Sequence, residues 1–200
     1  ERLVGLNWIT LQDRGFRLLL QSRSLFLARA GLSLPARLPE RALLIFADGS
    51  KSDDKQQCSW GFAIRAGSER TIVEGRGLLF ADGDPKGFGA LTQSSANAET
   101  VALLKAYSIV LGYREYFEGL QLLDGIFSCL DNSLGFLLGA GRWRQGEEPS
   151  LMLSAARLHE ALAEWSGEPH GMWLRSHAAR RYRHKAGRGN DRADVLAGSA

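Results

Sequence analysis

Cysteine is almost missing from this chain. Its 200 residues hold two, Cys58 and Cys129, each inside an apolar, strand-like run. That excludes a disulfide framework and a cysteine-built zinc site, and it predicts two small core residues in a reducing compartment. Long apolar stretches are missing too. None reaches the ~20 residues a bilayer-spanning helix needs, so no membrane partner is expected. The sequence shows no signal peptide, and it opens on Glu1 rather than Met, which reads as a processed chain or a piece of a larger one. No internal repeat or low-complexity tract stands out. What is present, 44% hydrophobic and 24% charged residues, suits an ordinary globular protein long enough to bury a core. An intracellular setting, cytoplasmic or nuclear, is expected.

The net charge of +3 conceals an asymmetry. Between Arg175 and Arg192 lie seven bases (Arg175, Arg180, Arg181, Arg183, Lys185, Arg188, Arg192) and one acid, Asp191. Taking those seven from 25 bases and that one from 22 acids leaves 18 against 21, so the rest of the chain is slightly acidic. A concentrated basic segment fits a polyanionic partner such as nucleic acid. A solvated loop and a nuclear-localisation signal are the other readings of the same residues.

Four acids keep unusual company. Asp48 closes the apolar run 42–47 and precedes Gly49 and Ser50. Glu99 lies in the opening of an amphipathic helix, Ser95-Ala-Asn-Ala-Glu-Thr-Val-Ala-Leu-Leu. Asp131 ends Ile126-Phe-Ser-Cys-Leu, and Asp194 sits at the start of a final helix. A carboxylate taken out of water must be paired or must bind a cation. Four converging acids offer hard oxygen ligands, which suit a divalent ion, Mg²⁺ above all.

The chain divides at about residue 41. Residues 1–41 hold apolar side chains at helical spacing (Phe16, Leu19, Leu20, Leu27) and then Pro35 and Pro39, a pattern for a helical extension or linker. Residues 42–200 form the expected catalytic domain. Strands are predicted at 42–48, 58–66 and 70–80, with a turn at Ala66-Gly67-Ser68, and then a loop in which Asp82 and Asp84 serve as turn formers. A helix over 96–112, a strand over 125–131, helices over 133–139 and 151–165, a strand over 171–176 and a helix over 190–198 complete the domain. Trp165 is expected in the core. Trp143, between Arg142 and Arg144, fits either core packing or stacking on a nucleotide.

The order and wording of these segments resemble the ribonuclease H family, type 1. Asp48-Gly-Ser looks like its first catalytic strand and Trp60-Gly-Phe-Ala like the strand beside it. Asn97-Ala-Glu99 resembles its glutamate helix, and Leu130-Asp131-Asn132-Ser133 its aspartate strand end. Trp173-Leu-Arg-Ser-His177, then Gly189-Asn190 and Ala193-Asp194-Val-Leu-Ala, resemble the last strand, the histidine loop and the last helix. The likeness spans about 42–200, roughly four-fifths of the chain.

The resemblance implies an α/β fold, a mixed five-stranded sheet made of a three-strand antiparallel meander and two further strands, flanked by helices. It implies an endoribonuclease that cuts the RNA strand of an RNA–DNA hybrid by a two-metal mechanism, with two Mg²⁺ ions, or Mn²⁺ in their place. Asp48, Glu99, Asp131 and Asp194 would hold the metals. His177 would move a proton or assist product release, with His184 as a rival for that place. The chain departs from the family where Lys51-Ser-Asp-Asp-Lys-Gln-Gln replaces a Gly-rich hairpin. It departs again where Ser94, Ser95 and Ala96 replace the polar, often Asn, residues before the helical glutamate. Residues 139–149 are also too short and Gly-rich for the basic helical protrusion of many members. Two alternatives stay open: the nuclease module of a retroelement polyprotein, with a covalently linked reverse transcriptase domain, and a non-catalytic hybrid-binding module. A proofreading exonuclease is disfavoured because position 50 is Ser rather than a second acid.

Overall fold

The computed structural model describes residues 40–52, 54, 56–67, 70–80, 88–122, 124–131, 149–167, 169–174 and 185–200. The N-terminal extension 1–39, the helix expected over 133–139, Asp82, Asp84, Trp143, His177, His184 and the arginines at 175–183 lie outside the described residues.

Five strands form one mixed sheet: β1 (Leu43–Ser52), β2 (Gln57–Ala66), β3 (Arg70–Leu78), β4 (Ile126–Leu130) and β5 (His170–Trp173), in the order β3-β2-β1-β4-β5. β1, β2 and β3 are the expected antiparallel meander, while β4 runs parallel to β1 and β5 parallel to β4. Helices α1 (Ser95–Gly112) and α2 (Arg114–Gly119) precede β4, α3 (Pro149–Ser166) precedes β5, and α4 (Lys185–Gly198) follows it.

Strand β1 explains why the sheet is covered on both faces. It is central, so its apolar start is buried whichever way a side chain points. Leu43, Ile45 and Ala47 join a large core with Val101, Leu104, Tyr107 and Leu162, on the side of α1 and α3. Leu44 and Phe46 join a smaller core with Phe127, Cys129, Met172, Leu174 and Ala193, on the side of α4. Both cysteines are fully buried and free, as their apolar settings predict. Burial raises both thiols above the ordinary range. Tyr107 and Ser128 share a buried hydrogen bond of 2.6 Å that ties α1 to β4. Trp165 is packed against the large core but only partly buried, because its indole N–H donates to Glu118 at 2.6 Å.

Several boundaries differ from the sequence expectation. β1 extends through Ser52 because β2 pairs with it along its whole length, from Leu43↔Ala66 to Ser52↔Gln57. α2 was not expected at all; its six residues carry one buried anchor, Phe117, too little for a periodic signal. α4 begins at Lys185 rather than 190, running through Gly187 and Gly189. Glycine at 189 is dictated by packing, since a Cβ there would stand 2.5 Å from the Phe46 ring. Tertiary contact thus overrides the poor helix propensity of that residue.

Candidate metal centre

Asp48 and Asp131 come together through strand register. The parallel pairing reaches Phe46↔Cys129, and two residues further on each strand stand the two acids. Side chains alternate along a strand, so Asp48 shares the α4 side with Leu44 and Phe46, and Asp131 shares it with Phe127 and Cys129.

Gly49 points the other way. A Cβ on it would lie 2.3 Å from the Ser95 carbonyl oxygen and 2.4 Å from the Glu99 nitrogen. The glycine after Asp48 is therefore needed so that the first turns of α1 can lie directly on β1. That approach delivers Glu99, 3% exposed, to the sheet end where the two aspartates stand. The start of α1 is held firmly. Ser94 caps it by accepting from the Asn97 backbone N–H at 3.1 Å. The Asn97 side-chain amide donates to the Thr92 carbonyl and hydroxyl at 3.0 and 2.9 Å. Gln93 accepts from the Cys58 N–H at 2.7 Å and donates to the Leu79 carbonyl at 3.2 Å, sewing the loop to the sheet.

The result is three carboxylates, Asp48, Glu99 and Asp131, that each offer an oxygen within 4.8 Å of the others. Like charges so close, partly out of water, resist ionisation. Asp48 records the strain: its carboxyl is raised to about 7, chiefly by burial, then by Asp131, with a smaller push from Asp194. The Gly49 N–H, donating to Oδ1 at 2.8 Å, opposes this only in part. A bound cation would offset both the burial and the repulsion. Three carboxylates are hard oxygen donors, which fit Mg²⁺ or Mn²⁺ better than zinc.

Asp194 is placed on α4, close enough to act on Asp48 electrostatically, yet its carboxylate is outside the group of three. His177 and His184 lie outside the described residues, and no position is stated for either.

One site neighbour escaped the sequence reading. Asn190, 1% exposed on α4, donates from its side-chain amide to Asp131 Oδ2 at 3.0 Å. The available signal was its place four residues before Asp194, which puts both on one helix face. Its partner, 59 residues away, could not be read from that.

α4 is held to the sheet by close approach. A Cβ on Gly61 of β2 would meet the Ala197 nitrogen at 2.4 Å and the Ala193 carbonyl at 2.5 Å. Ser59 donates to the Ala197 carbonyl at 2.6 Å, and Arg192 forms an ion pair with Glu74.

No protein-family model and no curated protein matches this sequence. Solved structures do. The chain is similar to LC11-RNase H1, isolated from compost by a metagenomic approach, with TM-score 0.54 and 18% identity over 80% of this chain and 95% of that one. It is similar to the same protein in complex with an RNA/DNA hybrid, with TM-score 0.53 and 18% identity over 79% and 95% of the two chains. It is also similar to the N-terminal RNase H domain of rv2228c from Mycobacterium tuberculosis, with TM-score 0.52 and 19% identity over 80% and 98%. At such identities the likeness is one of fold.

Proposed function

We propose that this chain, an RNase H-like domain by its fold, is a metal-dependent endoribonuclease that hydrolyses the RNA strand of RNA–DNA hybrids. The observation that carries the reading is the meeting of Asp48, Glu99 and Asp131, from three separate segments, within 4.8 Å at one end of the sheet. The likeness to a hybrid-bound RNase H1 supports the substrate class.

In this reading the three acids, joined by Asp194, hold two Mg²⁺ ions, with Mn²⁺ able to replace them. The ions supply what phosphodiester hydrolysis demands: an activated water, a stabilised leaving oxygen and neutralised phosphate charge. The chain's own contribution is placement. β1 and the end of β4 fix two carboxylates, α1 fixes the third, and α4 carries Asp194 beside Asp48. His177 serves the proton traffic or product release. The basic run from Arg175 to Arg192 draws in the phosphate backbone.

The test is cleavage of a labelled hybrid in Mg²⁺ by the wild-type protein and by Asp48→Asn. We expect the variant to lose at least ~10³-fold in rate, the scale set by removing preorganised charge stabilisation, while circular dichroism reports an intact fold. A variant that cleaves at the wild-type rate refutes the metal reading.

A further inference from the structure

Asn190 is a costly choice for packing alone. It is 1% exposed, and its side-chain oxygen is buried with no hydrogen-bond partner among the described residues. A buried group with an unmade hydrogen bond destabilises the fold, which an apolar residue would avoid. Its amide orientation is set by its neighbour. Turned over, the amide would bring Oδ1 against Asp131 Oδ2, acceptor against acceptor. The amide nitrogen therefore belongs to Asp131, and the oxygen is left without a partner among the described residues.

Resting on the reading of Asp131 as a cation ligand, we infer that Asn190 is a positioning residue of the metal centre. Its N–H holds Asp131 Oδ2 and stops the carboxylate from turning, so that Asp131 keeps its place beside Asp48 and Glu99. Its Oδ1 would accept from a water of a hydrated cation held at the cluster, since Mg²⁺ keeps several waters when it binds. This also gives α4 a second function. By carrying Asn190 and Asp194 on one face, the helix both orients an acid of β4 and brings its own. Partners of this outer kind typically account for ~10–100-fold in metal affinity.

The experiment is an NMR titration of the hybrid-free protein with Mg²⁺, read on wild type, Asn190→Ala and Asp131→Asn. We expect Asn190→Ala to bind Mg²⁺ at least ~10-fold more weakly, and Asp131→Asn to lose site binding. In cleavage, Asn190→Ala should need correspondingly more Mg²⁺ for half-maximal rate and regain much of its turnover at saturating Mg²⁺, a split that a merely structural defect would not produce. Unchanged Mg²⁺ affinity in Asn190→Ala, with binding lost in Asp131→Asn, overturns this inference alone. Undiminished binding in Asp131→Asn overturns the metal centre itself. If Asn190→Ala does not fold, the wild-type side-chain amide signal of Asn190 decides: it should shift on Mg²⁺ addition, and a signal indifferent to saturating Mg²⁺ refutes the inference.

Discussion

On one face of the sheet, α1 and α3 cover a broad core in which Val101, Leu103, Leu104, Tyr107, Leu151 and Leu162 are all buried. On the other, α4 lies on a much smaller apolar set and contributes Ala193 to it. The two helices that bring acids to the site are thus secured differently. α1 adds apolar bulk to its close approach at Gly49, and Glu99 is carried in by both. α4 is set by close backbone approach at Gly61, by the Ser59–Ala197 hydrogen bond and by rim contacts such as Arg192–Glu74 and Arg76–Ser199. The face with less hydrophobic weight carries Asn190 and Asp194, where placement matters more than stability.

The sharpest way to break this contrast is by truncation on each face. Leu104→Ala, fully buried on α1, should cost ~3–5 kcal/mol in urea unfolding, as expected for a core leucine. Leu196→Ala on α4, 7% exposed, should cost at most about half as much. Equal losses would show that the α4 face is as strongly built as the other.

A smaller effect follows from pH. The Asp48 carboxyl stands at about 7 in the folded, metal-free protein against an ordinary 3.8. Between those values the folded state holds a proton that the unfolded state has lost, so stability falls as pH rises from about 4 to about 7. In EDTA, wild type should therefore melt a few degrees lower at pH 8 than at pH 5, and Asp48→Asn should lose clearly less over the same interval. Saturating Mg²⁺ should remove most of the wild-type loss. Parallel pH dependence in the two proteins would deny the strained carboxylate.

The smallest effect concerns the rim. Glu74 is held below the usual carboxylate range by its hydrogen bond from Arg192, but the pair is solvent-exposed. Arg192→Ala should leave the melting temperature within error, as is usual for exposed ion pairs. A marked drop would mean that the polar ties of α4 carry more of its docking than its small residues do.

Much of this was legible in the sequence. Asp48 and Asp131 each end an apolar run, and the parallel pairing of β1 with β4 brings both to one site, although β1 runs on past Asp48 to Ser52. Glu99 was legible from the helix pattern around it. The glycine at 49 was read as part of a motif, yet its physical cause, the backbone of α1 lying against it, exists only in three dimensions. Gly187 and Gly189 hid the first turns of α4, and at Gly189 the poor propensity is outweighed by the contact with Phe46. α2 was invisible because a single buried phenylalanine makes no period. Asn190 was read only as part of a motif, because its contact with Asp131 is set by a distant chain segment. Asp194 was read correctly as part of the helix, but sequence could not say that its carboxylate would stand outside the group of three.

The parallel pairing of β1 with β4 has a temporal side. Asp48 and Asp131 are 83 positions apart in the numbering, and Asn190 joins them from 59 positions further on. Neither local helix formation nor the β1–β2–β3 meander brings any two of them together. Contacts between residues so distant along the chain are slow to form, because loop-closure entropy must be met first. The carboxylate cluster, with its mutual repulsion, therefore comes into being only when the topology closes. A cation that binds there recognises a finished molecule and ignores a nascent or half-folded one.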